Sequence, residues 1–201
     1  SLPELASSLV SLFKGKADPG DLRAKWQSAI VAVCDSAEQL ADSRTGALVV
    51  LERRTNLSEI IKTGTVLNAD ITPEMLGTIF YEGTPLHDGA VVVRDGRIEA
   101  AGCFLPLSNN LEIGKDMGTR HRAGLGVSEI SDAKVFIVSE ETGIISMAEG
   151  GRLVRHLDEA SLRQILHGIY DAQDKDARVP LLHFKQRRKG AHDEQQADKK
   201  A

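Results

Sequence analysis

Gly83-Thr84-Pro85-Leu86-His87-Asp88-Gly89-Ala90-Val91-Val92-Val93-Arg94-Asp95-Gly96-Arg97-Ile98 is the stretch whose reading decides the fold. Residues 90–93 form a short apolar run, which reads as a buried strand over 90–94. Asp95-Gly96 is a two-residue hairpin signal, because both residue types accept positive φ, and it sends the chain back along a second strand over 97–105. A His and a carboxylate stand just before the first strand, at its mouth and toward a sheet edge. Further on, past a polar loop over 108–117, Gly118-Thr119-Arg120-His121-Arg122 opens a helix over 119–130. Gly124 and Gly126 weaken that helix and permit close approach of another backbone or of a ligand.

Outward from this stretch, Trp26, Ile30, Val33, Ala37 and Leu40 recur at helical spacing. They predict a long amphipathic helix from Asp21 that Gly46 stops. Residues 47–52 read as a strand, 57–62 as a short helix and 66–71 as an extended connection. Thr72-Pro73-Glu74 has the cap, the first-turn proline and the acid that announce a helix through Phe80. Strands follow over 135–139, 144–148 and 152–155, and a last helix over 158–170 presents Leu162, Ile165, Leu166 and Ile169 on one face. Helices before, within and after strands that include a hairpin imply an α+β fold, a mixed central β-sheet covered by helices. Neither GxGxxG nor GxxxxGK[ST] occurs, so the standard dinucleotide and P-loop readings fail.

With 201 residues, 41% hydrophobic and 27% charged, the chain fits one soluble domain with flanking segments. Its net charge of -4 excludes a nucleic-acid binder that works through overall positive charge, so any anion is met locally. Cys34 and Cys103 lie far apart and read as reduced, buried thiols. No apolar run approaches the roughly 18 residues of a membrane span. Residues 1–20 read as an entry segment, and a chain opening on Ser1 reads as a piece of a longer parent. Residues 171–201, with Lys185-Gln186-Arg187-Arg188-Lys189, read as a disordered polar tail, solvated or in contact with a membrane surface.

Two clusters carry chemistry. Asp88-Gly89 is turn material, yet Asp88 beside His87 at a strand mouth is equally a metal ligand. Positive charge at a helix start opposes the macrodipole, so Arg120, His121 and Arg122 there point to a bound anion. Helix-terminal N–H groups and Arg forks suit phosphate oxygens. His121 reads either as a structural histidine or as a phosphate donor. Glu140-Glu141-Thr142-Gly143 is a turn, and its place after a buried strand makes Glu141 a candidate.

Asp88-Gly89-Ala90 and Arg120-His121-Arg122, in that order, resemble the DGA and RHR motifs of the diadenylate cyclase domain. Flanking agreement extends the likeness over about residues 20–170: Gly46-Ala47-Leu48, Glu52-Arg53, Thr63-Gly64, Thr84-Pro85-Leu86-His87, Leu105-Pro106-Leu107-Ser108, Gly118-Thr119 and Val138-Ser139-Glu140-Glu141-Thr142-Gly143. The likeness is strongest to the membrane-anchored bacterial members, whose catalytic domain follows transmembrane helices on the cytoplasmic side. Residues 21–170 would be that domain and the chain its soluble piece.

The resemblance implies that two ATP condense to cyclic di-AMP and two pyrophosphates with Mg²⁺ or Mn²⁺, across a head-to-head homodimer. It implies Asp88 as metal ligand with His87 as a weaker one, and Thr119, Arg120, His121 and Arg122 on the phosphates. Gly89 and Ala90 would leave room for ribose and phosphate, Leu105 would meet the adenine, and Ser139 and Glu141 would close the phosphate and metal side. An N-terminal anchor and a regulatory protein partner are also expected. The rival reading is a non-catalytic module that senses an adenine nucleotide in the same pocket.

Overall fold

A computed structural model of the chain describes residues 19–110, 117–167, 169 and 179–180. The expectations for the entry segment over 1–18, for the loop over 111–116 and for nearly all of the tail fall outside the described residues.

The first helix, α1, spans Pro19–Asp42 and is followed by β1 (Ala47–Leu51), β2 (Thr55–Asn56) and α2 (Ser58–Ile61). Next come β3 (Thr65–Asp70), α3 (Pro73–Phe80), β4 (Ala90–Arg94) and β5 (Arg97–Cys103). The chain continues through α4 (Thr119–Ile130), β6 (Lys134–Val138), β7 (Ile145–Glu149), β8 (Arg152–Arg155), α5 (Glu159–His167) and β9 (Val179–Pro180). Seven strands form one sheet in the order β3-β5-β4-β1-β6-β7-β8. β1 and β4 are parallel, and every other neighbouring pair in that sheet is antiparallel, which makes the sheet mixed, as expected. β9 pairs with β2 in a separate two-stranded ribbon.

β1 lies at the centre, and all five of its residues are buried. Its side chains alternate between two cores, as strand geometry requires. Ala47, Val49 and Leu51 join Trp26, Ile30 and Val33 of α1, Leu76 and Phe80 of α3, and Leu162 and Leu166 of α5. Leu48 and Val50 join Ile60 of α2 and Leu125 and Val127 of α4 on the opposite face. Helices therefore cover both faces, and each fully buried Leu, Ile or Phe contributes about 1.5–3 kcal/mol.

The hairpin forms where Asp95-Gly96 stands, with φ of 53° and 74°. Three expectations need adjustment. The connection over 66–71 is the edge strand β3, paired with β5 through an irregular register that includes Asn68 at φ 48°. β5 ends at Cys103, so Leu105 lies in the loop beyond it. The glycines of α4 meet protein rather than ligand. A Cβ on Gly124 would stand 2.7 Å from Ile137, and one on Gly126 would stand 2.1 Å from the Pro106 carbonyl oxygen. Both cysteines are free and buried, and burial pushes the Cys34 thiol to about 11 and the Cys103 thiol to about 12. Among the described residues no helix is long and apolar enough to cross a membrane.

Candidate functional site

Three adjacent central strands, β4, β1 and β6, bring the pieces together at one end of the sheet. β4 and β1 start there and antiparallel β6 finishes there. Asp88 sits two residues before β4, Gly46 one before β1, and Ser139-Glu140 directly after β6. α4 runs back against β6 with which it packs, so its first turn returns to the same end.

The result is a cleft of about 450 Å³. Its walls are the chain after α1 (Ser43 to Gly46), the α3–β4 loop with Tyr81, Glu82, His87 and Asp88, and Arg120 with Glu140. A smaller recess of about 70 Å³ adjoins it, lined by Gly118, Thr119, Arg120, His121, Ser139, Glu140 and Glu141. Arg120 and Glu140 line both. Nη1 of Arg120 donates to Oε2 of Glu140 at 2.5 Å, so this ion pair forms the partition between the two spaces. The pair fits because residue 46 is glycine, where a Cβ would stand 2.6 Å from that guanidinium.

Asp88 presents its carboxylate with 87% of the side chain exposed. His87 is fixed from behind. Its Nδ1 lies 2.6 Å from the Thr84 carbonyl oxygen, which can only accept, so Nδ1 carries the proton. Nε2 then faces Asp88, 3.4 Å from Oδ1. Thr84 is itself anchored, its hydroxyl donating to the Ile79 carbonyl at the end of α3.

Of the residues singled out in the sequence, His87, Asp88 and Arg120 share the cleft, and Thr119, Arg120, His121, Ser139 and Glu141 share the recess. His121 is buried there. Four others stand elsewhere. The Arg122 guanidinium donates to the Ser108 carbonyl at 3.2 Å and ties α4 to the loop after β5. Gly89, at φ 127°, leaves no spare room: a Cβ there would stand 2.7 Å from the Gly102 backbone. Ala90 is buried in the core beneath α4, and Leu105 packs against that same core, half-buried, beside the exposed ring of Phe104. Sequence reading passed over Arg44, Tyr81 and Glu82 on the cleft wall and gave Glu140 no role of its own. For Glu140 the signal was available, since an acid right after a buried strand at the same sheet end as Arg120 is a natural partner for it.

A model of the family described as DAC, "DisA bacterial checkpoint controller nucleotide-binding", matches residues 34–153. The chain belongs to the DAC family. The chain is 38% identical over 191 residues to the cyclic di-AMP synthase CdaA of Bacillus subtilis (strain 168), covering 94% of this chain and 70% of that protein. It is 40% identical over 167 residues to a diadenylate cyclase of Listeria monocytogenes serotype 1/2a (strain 10403S), covering 82% and 61%. Among solved structures, a DacA double mutant from Staphylococcus aureus superposes with a TM-score of 0.70 at 40% identity, covering 72% of this chain and 96% of that one. The DAC fold is therefore shared, α+β with its mixed sheet.

Proposed function

We propose that this DAC domain is a nucleotidyltransferase, a diadenylate cyclase that turns two ATP into cyclic di-AMP and two pyrophosphates. The observation that carries the reading is that Asp88 and Arg120, distant in sequence, face one cleft. In each half-reaction a 3′-oxygen bonds to the α-phosphorus of the facing ATP while the bond from that phosphorus to the departing pyrophosphate breaks. The hydroxyl proton passes to solvent.

The donor set fits a divalent cation that keeps few protein ligands. Among the described residues no three His, Cys, Asp or Glu side chains gather as a full cage. A single exposed carboxylate suits Mg²⁺ or Mn²⁺ that completes its shell with phosphate oxygens and water. Asp88 would hold the ion, with Nε2 of His87 at its side, and the ion would supply the positive charge that makes the 3′-hydroxyl more acidic. Arg120 offers a planar fork to the phosphoryl oxygens. His121 and the Thr119 hydroxyl, at the start of α4, add donors where negative charge grows. Ser139 and Glu141 close the recess. Arg122 acts at one remove by holding the 104–108 loop, and Gly89 with Ala90 fixes the strand mouth that aims Asp88.

A cleft of this volume is of the size that holds one ligand, whereas the product joins two nucleotides. Two copies therefore face each other about a two-fold axis with the Asp88 clefts opposed. The likeness to membrane-anchored members supports a parent protein that keeps this domain at the cytoplasmic face, where a regulatory protein partner reaches it.

The test is to incubate the chain with ATP and Mn²⁺ and resolve the products on a column over a range of protein concentrations. Cyclic di-AMP is expected, with specific activity falling on dilution. Asp88→Asn should remove product while 3′-deoxy-ATP, which cannot close the ring, still binds. Bound ATP without any product would turn the assignment to a sensing module.

A further inference from the structure

We infer that Arg44 is a phosphate-binding residue of this cleft, a specificity element for the polyphosphate tail of the nucleotide. The inference rests on the reading of the cleft as an ATP site and extends it to a residue outside both motifs.

Charge in the cleft sets the problem. Its wall carries three carboxylates, Glu82, Asp88 and Glu140, against two guanidinium groups, Arg44 and Arg120. Arg120 is already engaged by Glu140. Arg44 is exposed and, among the described residues, has neither hydrogen-bond nor ion-pair partner for its guanidinium. A polyanion entering this cleft thus meets one cation that needs no prior release from a carboxylate, and the negative wall makes that cation the natural point of capture.

The backbone fixes where Arg44 stands. Its φ is 51°, in the left-handed region that Arg seldom adopts. The turn is held by the Arg44 N–H donating to the Ala41 carbonyl at 3.1 Å and the Thr45 N–H donating to the Leu40 carbonyl at 2.8 Å. Across from it, Gly143 packs so tightly on the Ala41 carbonyl that a Cβ there would lie 2.5 Å from the oxygen and 3.7 Å from Cγ of Arg44. The stem of the side chain is therefore flanked by the β6–β7 turn, which also carries Glu140, and its head is left for the cleft. A cation after the carbonyl end of a 24-residue helix also suits the helix dipole. That contribution would be read in stability and not in a preference among ligands.

The experiment compares 3′-deoxy-ATP with 3′-deoxyadenosine, both with Mg²⁺, by titration against the wild-type chain, Arg44→Asn and Arg44→Lys. Asn accepts the left-handed conformation, and melting temperatures report whether each variant is folded. The expected result is a loss of at least about ten-fold in 3′-deoxy-ATP affinity for Arg44→Asn, the scale of one charged hydrogen bond. Affinity for 3′-deoxyadenosine should stay within two-fold, and Arg44→Lys should recover most of the loss. Unchanged 3′-deoxy-ATP affinity in Arg44→Asn, or an equal fall for both ligands, overturns the role of Arg44 alone. Absence of 3′-deoxy-ATP binding by the wild-type chain overturns the ATP site and this inference with it.

Discussion

A Cβ on Gly46 would stand 2.6 Å from Nη1 and 2.7 Å from Cζ of Arg120, and 2.9 Å from Oε2 of Glu140. All three atoms belong to the ends of flexible side chains, which can move aside. Gly46→Ala is therefore expected to fold with an unchanged melting temperature while displacing the Arg120 guanidinium, raising KM for ATP about ten-fold. Steady-state product formation and a thermal melt check the two halves of that statement. Gly126 is the contrasting case, since its Cβ would meet the backbone of Pro106 and Ser108 at 2.1 and 2.7 Å. Gly126→Ala should cost about 3 kcal/mol of stability, the upper range of overpacking, seen as a lower urea midpoint. Arg122 carries a lesson of the same kind. Successive helical residues diverge by about 100°, so Arg120, His121 and Arg122 cannot all face one pocket. That geometry was already implicit in the helix expected over 119–130.

Asp132, in the turn between α4 and β6, clamps β2 in place. Its Oδ1 and Oδ2 accept from the N–H groups of Thr55 at 2.9 Å and Arg54 at 3.2 Å, and the Asp132 N–H donates to the Thr55 hydroxyl. Burial alone would raise its carboxyl. The Thr55 and Arg54 bonds and the Arg53 charge outweigh burial and hold it below the ordinary value. A lowered folded value means that the clamp stabilises fully above the ordinary carboxylate range and is lost as pH falls through the folded value. Asp132→Ala should thus cost about 1–2 kcal/mol at neutral pH, a charged contact discounted for partial exposure. The gap from wild type should close below about pH 4, as followed by urea melts across pH. Such long-range clamps leave no local mark in the sequence. The elements that were readable are those whose cause is local: α1 from its apolar spacing, α3 from its cap, in which the Thr72 hydroxyl accepts from the Met75 N–H, and the 95–96 hairpin from its residue types. β3 escaped because its outward pattern, with Val66 61% exposed, lacks a buried stripe, and because its sheet partner among the described residues is β5, about thirty residues away.

Taken as a whole, the molecule divides the parallel pair β1 and β4 between two ends. The cleft lies where both strands start. Where both finish, Glu52 is buried and accepts from Nε of Arg94 at 2.5 Å, from Nη2 at 2.8 Å and from the Leu57 N–H at 2.7 Å, while Nη2 also reaches the Ser58 hydroxyl. The bond to Glu52 raises the Arg94 pKa further, so its charge is permanent. Glu52→Gln would leave that cation half-compensated in the interior, and a loss of about 3–5 kcal/mol is expected, measured by chemical denaturation. KM for ATP should be unaffected as long as the chain is folded. Asp88-Gly89-Ala90 and Arg120-His121-Arg122 were readable from their residue types, but the convergence of Asp88 and Arg120 on one cavity came from strand order, which no spacing along the chain encodes. With fastening and turnover assigned to opposite poles of the same two strands, a library confined to the Glu52–Arg94–Ser58 pole could be screened for heat tolerance alone, and its survivors would carry the original substrate affinity forward.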